Sequence, residues 1–302
     1  MGDPVRTIGF VGLGAMGTPM ARALLAAGFT VRGADVRASA LDELAAAGGV
    51  ACASAAEAAK GADTLLLMVV NAAQAEAVLF GAGALAALPD GGIVVLMATC
   101  PPAAVAAIAE KVLASGRRFV DSPVSGGVAG AKAASLTIMA AADDATFAAI
   151  RPVFDALGKR IFHVGDKPGQ GAVVKTVNQL LCGAHIAVAA EGLALAQKLG
   201  VNAALLLDVM GDSSAASWML RDRGPRMLQA EPEVTSAVDI FVKDLGIVLQ
   251  AGRDAGAALP MAALAHQLFL ATSGRGDGSA DDSQVIRCYQ LLNGMTAKNS
   301  TE

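Results

Sequence analysis

The segment that most limits what this chain can fold into is Gly12-Leu13-Gly14-Ala15-Met16-Gly17. It follows the apolar run Val5–Val11 and opens onto Thr18–Ala27, an Ala- and Leu-rich stretch that reads as a helix. A strand, three spaced glycines and a helix make a specific arrangement. Gly12 permits the tight turn, Gly14 lets the backbone approach a pyrophosphate, and Gly17 lets the helix lie close to the strand. The helix N-terminus then faces the phosphate charge. The same letters without a ligand would be an ordinary glycine-rich loop, and the flanking strand and helix favour the dinucleotide reading. Asp35 ends the next apolar run, Thr30–Ala34, about twenty residues on, where an acid meets the ribose hydroxyls and repels a 2′-phosphate. That favours NAD over NADP, although Arg32 and Arg37 stand close enough to take a phosphate.

The pattern continues. Thr64–Val70, Ile93–Met97, Arg118–Asp121, Leu136–Ala141 and Arg160–Val164 read as strands, with helical stretches such as Ser39–Ala47 and Ala103–Ser115 between them. Unbroken apolar runs like Leu65–Val70 suit a parallel sheet covered on both faces. The expected fold is therefore an α/β Rossmann-type, doubly wound domain over residues 1–165. From residue 166 to 302 the character is all-helical. A long helix over Ala172–Leu199 is followed by helical spacing in Ser236–Ala251 and Met261–Ala271. Pro225, Pro232 and Pro260 serve as punctuation, Gly274–Ser283 as a polar loop, and Met295–Glu302 as a frayed tail.

Composition removes other classes. Of 302 residues, 54% are hydrophobic and 17% charged, which excludes a disordered chain. A net charge of -4 with one Trp and one Tyr leaves no basic footprint for nucleic acid. Uncharged stretches such as Gly91–Ala109 are broken by Gly91, Gly92, Pro101 and Pro102, so no membrane partner is expected. The N-terminus runs into the glycine turn rather than a signal sequence. Cys52, Cys100, Cys182 and Cys288 are dispersed, which fits a reducing, cytoplasmic setting and no disulfide framework. His163, His185 and His266 are equally scattered, so no metal is expected.

Two further segments carry chemistry. Asp121-Ser122-Pro123-Val124-Ser125-Gly126-Gly127-Val128-Ala129-Gly130-Ala131 leaves a strand end, where α/β folds place ligands. A hydroxyl followed by two glycines offers donors for a carboxylate, and a plain glycine-rich turn reads equally well from these residues alone. Gly169–Gln179 opens the long helix and puts Lys175, Asn178 and Gln179 at i, i+3 and i+4 on one face. With Val173, Val174 and Val177 around it, a desolvated Lys175 can exchange protons near neutral pH; a solvated surface lysine is the ordinary alternative. His185, ten residues on, would stand ~15 Å away along a helix, too far for a direct pair. Trp218 reads as a wall of the substrate pocket or as a core anchor.

Together with Val242-Lys243-Asp244-Leu245-Gly246, these motifs resemble the β-hydroxyacid dehydrogenase family, relatives of 3-hydroxyisobutyrate dehydrogenase and tartronate semialdehyde reductase, over about Ile8 to Leu292. Val69–Gln74, Gln179–Leu181, Ser236–Asp244 and Asp281–Ser283 are similar to its L-threonate branch. Val70-Asn71 stands where most of the family has Leu-Pro, and Asn178-Gln179 where most has two asparagines. The resemblance implies Lys175 as catalytic acid/base and Asn178 as the residue that orients the substrate. It implies Ser125, Gly126 and Gly127 as carboxylate binders, with Gln179 and Ser122 beside them for further hydroxyls. For NAD it implies Gly12, Leu13, Gly14, Ala15, Met16, Gly17, Asp35, Val70, Asn71, Thr99 and Lys243. The expected reaction is oxidation of L-threonate at C2 to 2-oxotetronate. Reduction of tartronate semialdehyde and oxidation of 3-hydroxyisobutyrate are the enzymatic alternatives. A non-catalytic NAD-dependent reader is the alternative of another class, and a retained Lys175 with no basic tail argues against it. Imine reduction is disfavoured by the same lysine. The long, apolar helical half predicts a homodimer or homotetramer.

Overall fold

In the computed structural model, which describes residues 6–295, nine strands form one sheet. They are β1 (Thr7–Val11), β2 (Thr30–Ala34), β3 (Val50–Ala51), β4 (Thr64–Leu67), β5 (Ile93–Leu96), β6 (Arg118–Asp121), β7 (Val124–Ser125), β8 (Leu136–Ala141) and β9 (Gly158–Gly165). The sheet order is β3-β2-β1-β4-β5-β6-β8-β7, with β9 also pairing with β8. From β3 through β6 all pairs are parallel. The order reverses between β1 and β4, the crevice where doubly wound sheets bind ligands.

Side chains alternate across this sheet. Leu66, Ile93 and Val95 join Met20, Ala21 and Leu24 in the core of one face. Leu65, Leu67, Val94 and Leu96 join Ala58, Val105, Ile108 and Val112 on the other. A run that is apolar at every position is thus buried on both faces.

Chain contacts divide the molecule into two units, Met1–Lys175 and Thr176–Glu302. The second is helical, built from the long helix Gln170–Lys198 beyond its first six residues, with Ala203–Gly211, Trp218–Met227, Val238–Ala255, Pro260–Thr272 and Ile286–Leu292. Its core joins Ile186, Ala190 and Leu193 to Leu245, Val248 and the stacked rings of Phe241 and Phe269, 5.1 Å apart.

Several expectations are corrected. β4 ends at Leu67, not Val70, and the two-residue strands β3 and β7 had no signal of their own. Pro225 lies inside the helix Trp218–Met227. Gly274–Ser283 is not a polar loop throughout. Asp281, Asp282 and Ser283 are buried, and Asp282 receives both arms of Arg223 at 2.7 and 2.9 Å while Arg226 meets Asp281 at 2.8 Å. Trp218 is 55% exposed and is no core anchor. Of the tail read as frayed, residues 296–302 lie outside the described residues. Among the described residues, one helix is long and apolar enough to cross a membrane, Gln170–Lys198, and half of its most apolar stretch is buried within the protein.

Candidate active site

The glycine turn sits at the end of β1, beside the switch in strand order. Gly12 has φ +95°, and a Cβ there would stand 2.5 Å from the Met68 carbonyl oxygen, so no other residue fits. A Cβ on Gly14 would meet nothing within 4 Å, which leaves its backbone open to an approaching pyrophosphate. The helix Gly17–Ala26 starts directly after, with Gly17 against the Gly12 carbonyl. The expected glycine roles therefore fit a bound dinucleotide.

Asp35, one residue past β2, is tied to this turn. Its Oδ2 accepts from the Leu13 N–H at 2.7 Å, and its Oδ1 accepts from the N–H and Nε of Arg37 at 2.9 and 3.2 Å. Arg37 also donates to the Leu13 carbonyl at 2.7 Å. The acid thus shapes the glycine turn as well as marking the strand end. Arg32 reaches the Glu57 carbonyl at 2.9 Å and is withdrawn as a phosphate acceptor.

Past β4, Asn71 caps the helix Ala72–Glu76 through the Gln74 N–H, and Gln74 returns the contact to the Val70 N–H at 2.9 Å. Thr99 follows β5. It stands two residues before Pro101, the N-cap of the helix Pro102–Ala114.

β6 leads to the Asp121–Ala131 segment. Val124 and Ser125 form β7 against Ile138 and Thr137, which fixes the Ser125 backbone on the sheet. Gly126 and Gly127 then turn with φ of +125° and +59°. Ser122 is fully buried with its Oγ unpaired, which removes it from the open positions expected for substrate hydroxyls.

Lys175 is 7% exposed. The valines expected to desolvate it do not: Val173, Val174 and Val177 are exposed at 51%, 38% and 56% and lie on another side of the helix. At 3.6 residues per turn, Lys175, Asn178 and Gln179 share a side.

Within the helical unit, Asn178 Nδ2 donates to Gln179 Oε1 at 2.9 Å and to Cys182 Sγ at 3.3 Å. Gln179 Nε2 donates to Asp244 Oδ2 at 2.5 Å, and Lys243 Nζ to Asp244 Oδ1 at 2.5 Å. Gln179, expected beside the substrate, is 7% exposed, and its amide accepts from Asn178 and donates to Asp244. Asp244 is the residue sequence reasoning missed: buried, it joins the Asn178–Gln179 pair to Lys243. An acid beside a lysine in the Val242–Gly246 motif was the available signal.

Comparisons with known proteins bear on the family and the fold. The family profile of the NAD binding domain of 6-phosphogluconate dehydrogenase matches residues 7–165. That of the NAD-binding region of NADP-dependent 3-hydroxyisobutyrate dehydrogenase matches residues 169–289. L-threonate dehydrogenase of Cupriavidus necator is 44% identical over 285 residues, 94% of this chain and 96% of the relative. The 2-(hydroxymethyl)glutarate dehydrogenase of Eubacterium barkeri is 37% identical over 96% of each chain. The crystal structure of a 3-hydroxyisobutyrate dehydrogenase from Salmonella typhimurium superposes with TM-score 0.89 at 39% identity, covering 93% of this chain and 99% of that one.

The fold and glycine turn define a dinucleotide-binding protein, and its relatives are dehydrogenases. More narrowly, the chain belongs to the β-hydroxyacid dehydrogenase family of the 3-hydroxyisobutyrate dehydrogenase type and is an NAD-dependent hydroxy acid dehydrogenase.

Proposed function

We propose that the protein oxidises L-threonate at C2 to 2-oxotetronate, with Lys175 as the proton acceptor. The burial of Lys175, 7% exposed on the helix face it shares with Asn178, carries this reading, since lysines are mostly exposed. The substrate carboxylate docks on Ser125, Gly126 and Gly127. Asn178, held by Gln179, orients the C2 hydroxyl. Lys175, in its unprotonated form, takes the hydroxyl proton; NAD, when bound, would supply the hydride acceptor for the same carbon. Gly12–Gly17, Asp35, Val70, Asn71 and Thr99 hold NAD, and Lys243 is assigned to it by resemblance. In this reading residues 1–165 bind most of the cofactor and, through Ser125–Gly127, the substrate carboxylate, and residues 166–302 complete the substrate site and serve assembly.

Several L-threonate dehydrogenases at 37–44% identity support the substrate. The 3-hydroxyisobutyrate dehydrogenase among the solved structures favours that acid as the second reading. A screen of NADH production over C3–C5 hydroxy acids, including both threonates and both erythronates, tests the choice. Best turnover of another acid overturns it.

Asp35 sets a cofactor prediction. Wild type should favour NAD over NADP in kcat/KM by about tenfold or more, because two like charges about 4 Å apart repel by kcal/mol-scale energies. Asp35→Ala should narrow the gap, partly by lowering NAD use, since the carboxylate also holds Leu13 and Arg37. Steady-state kinetics with both cofactors decide; a wild-type preference for NADP would mean that Arg37 outweighs Asp35.

Assembly follows from the long helix. Val174, Leu181, Val188 and Leu195 recur every seven residues and are 38–55% exposed. Apolar side chains at this spacing are the seam of paired helices. Beside them lies a groove of about 290 Å³ lined by His185, Val188, Leu206, Met210 and Leu220. We expect a homodimer or homotetramer through these helices, lost on Val188→Glu. Light scattering that gave one chain's 30.1 kDa for wild type at micromolar concentration would refute this.

A further inference from the structure

The Asp121–Ala131 and Gly169–Gln179 motifs meet at a point that the proposed reaction does not use. Asp121 closes β6 and is 1% exposed. Its Oδ2 accepts from the Gly169 N–H at 3.0 Å and from the Ala172 N–H at 2.8 Å. These amides bracket the first turn of the helix that carries Lys175 three residues further on.

A helix start leaves such N–H groups without partners inside the helix, and an anion there is favoured by charge and by the helix dipole. Helices ordinarily meet this need with a Ser, Thr, Asp or Asn at the cap itself. Here the acceptor comes from another element, 48 residues earlier than Gly169. Burial pushes the Asp121 carboxyl up to about 6, with the backbone amides of Ala172, Gly169 and Gly171 opposing the shift. Stabilising the helix alone does not require a charge held so deep.

The contact does fix a place. A Cβ on Gly171 would stand 2.6 Å from the Met139 carbonyl oxygen, 2.8 Å from that of Asp121 and 3.0 Å from Asp121 Oδ2. Gly169 turns with φ +95°. Gly171 thus lets the helix start lie against β6 and β8, while a Cβ on Gly169 would stand 3.1 Å from the Pro102 carbonyl oxygen.

We propose that Asp121 is a positioning residue: its carboxylate locks the first turn of the Lys175 helix to the end of β6, and so sets where Lys175 stands relative to the nucleotide-binding sheet and to Ser125–Gly127. The substrate segment leaves the same strand end four residues on, so one carboxylate registers the proton acceptor against the carboxylate binder. This rests on Lys175 as the proton-transfer group.

The test compares Asp121→Ala, Asp121→Asn, Gly171→Ala and Lys175→Ala in the full-length protein. It uses NAD and the hydroxy acid best turned over by wild type, protonated and deuterated at the carbinol carbon. Misplacing a reacting group by about 1 Å can cost about a hundredfold, so Asp121→Ala should lower kcat to that extent. KM and NADH affinity should stay within about threefold, and the isotope effect on kcat should rise as chemistry becomes limiting. Asp121→Asn keeps an acceptor and should fall between. Gly171→Ala keeps the carboxylate, displaces the helix start and should resemble Asp121→Ala. Amide exchange over residues 169–175 should quicken in the Asp121 variants.

Folded Asp121 variants with wild-type kcat and isotope effect, beside an inactive Lys175→Ala, overturn the positioning role. So does a Asp121→Asn whose only change is a lower melting temperature. If Asp121→Ala does not fold, Asp121→Asn and Gly171→Ala decide. An active Lys175→Ala overturns the reading of Lys175 itself, and the positioning role with it.

Discussion

Lys175→Ala is expected to lower kcat by about 10²–10⁴-fold, the range that a positioned acid/base contributes. NADH binding should stay nearly unchanged, because the nucleotide contacts proposed on the glycine turn and Asp35 are untouched. Lys175→Arg should be about as inactive, since a guanidinium cannot give up its proton near neutral pH and so cannot accept one from the alcohol. Steady-state kinetics and fluorescence titration of NADH separate the two effects. Lys175 is buried by the fold and not by its own valines, which are exposed. An alanine variant within a few-fold of wild-type kcat would remove Lys175 from the chemistry.

L-Threonate should be preferred over 3-hydroxyisobutyrate and 3-hydroxybutyrate by about 10²-fold or more in kcat/KM. A site built to hydrogen-bond a hydroxyl rejects analogues lacking it, because its own polar groups are left unpaired. The structure narrows which groups these are. Gln179 is committed to Asp244 and Asn178, and Ser122 is fully buried. Discrimination therefore falls on Asn178 and Ser125, and Asn178→Ala should erase most of it. The polyol L-threitol, which lacks the carboxylate for Ser125–Gly127, should be inert. Best turnover of 3-hydroxyisobutyrate would sink the threonate reading and spare the family assignment. An active polyol would sink the carboxylate role of Ser125–Gly127.

Much of this was legible because it is local. Three glycines between a strand and a helix have few uses, and β2, β6 and β8 have the bounds their apolar runs suggest. The i, i+3, i+4 spacing of Lys175, Asn178 and Gln179 follows from helix geometry alone. Elements failed where a neighbour decides. β4 stops at Leu67 because its partner β1 ends at Val11, where Gly12 turns away, although the apolar run continues to Val70. β7 is two residues long and exists through its pairing with β8. The polarity of Asp281 and Asp282 suggested solvent, yet Arg223 and Arg226 supply countercharges from more than fifty residues away, and paired charges can be buried where single ones cannot.

The sequence by itself determined the doubly wound domain, the helical half, the glycine turn and the shared helix face of Lys175, Asn178 and Gln179. These depend on periodicity, backbone freedom at glycine and motif spacing, all carried within a few residues. The tertiary structure decided which polar groups are committed and which are open. It turned Gln179 toward Asp244, withdrew Arg32 to Glu57 and set Asp121 on the first turn of the Lys175 helix. A side-chain hydrogen bond is short-ranged and directional, and its partner is often far along the chain, so only the folded chain assigns it.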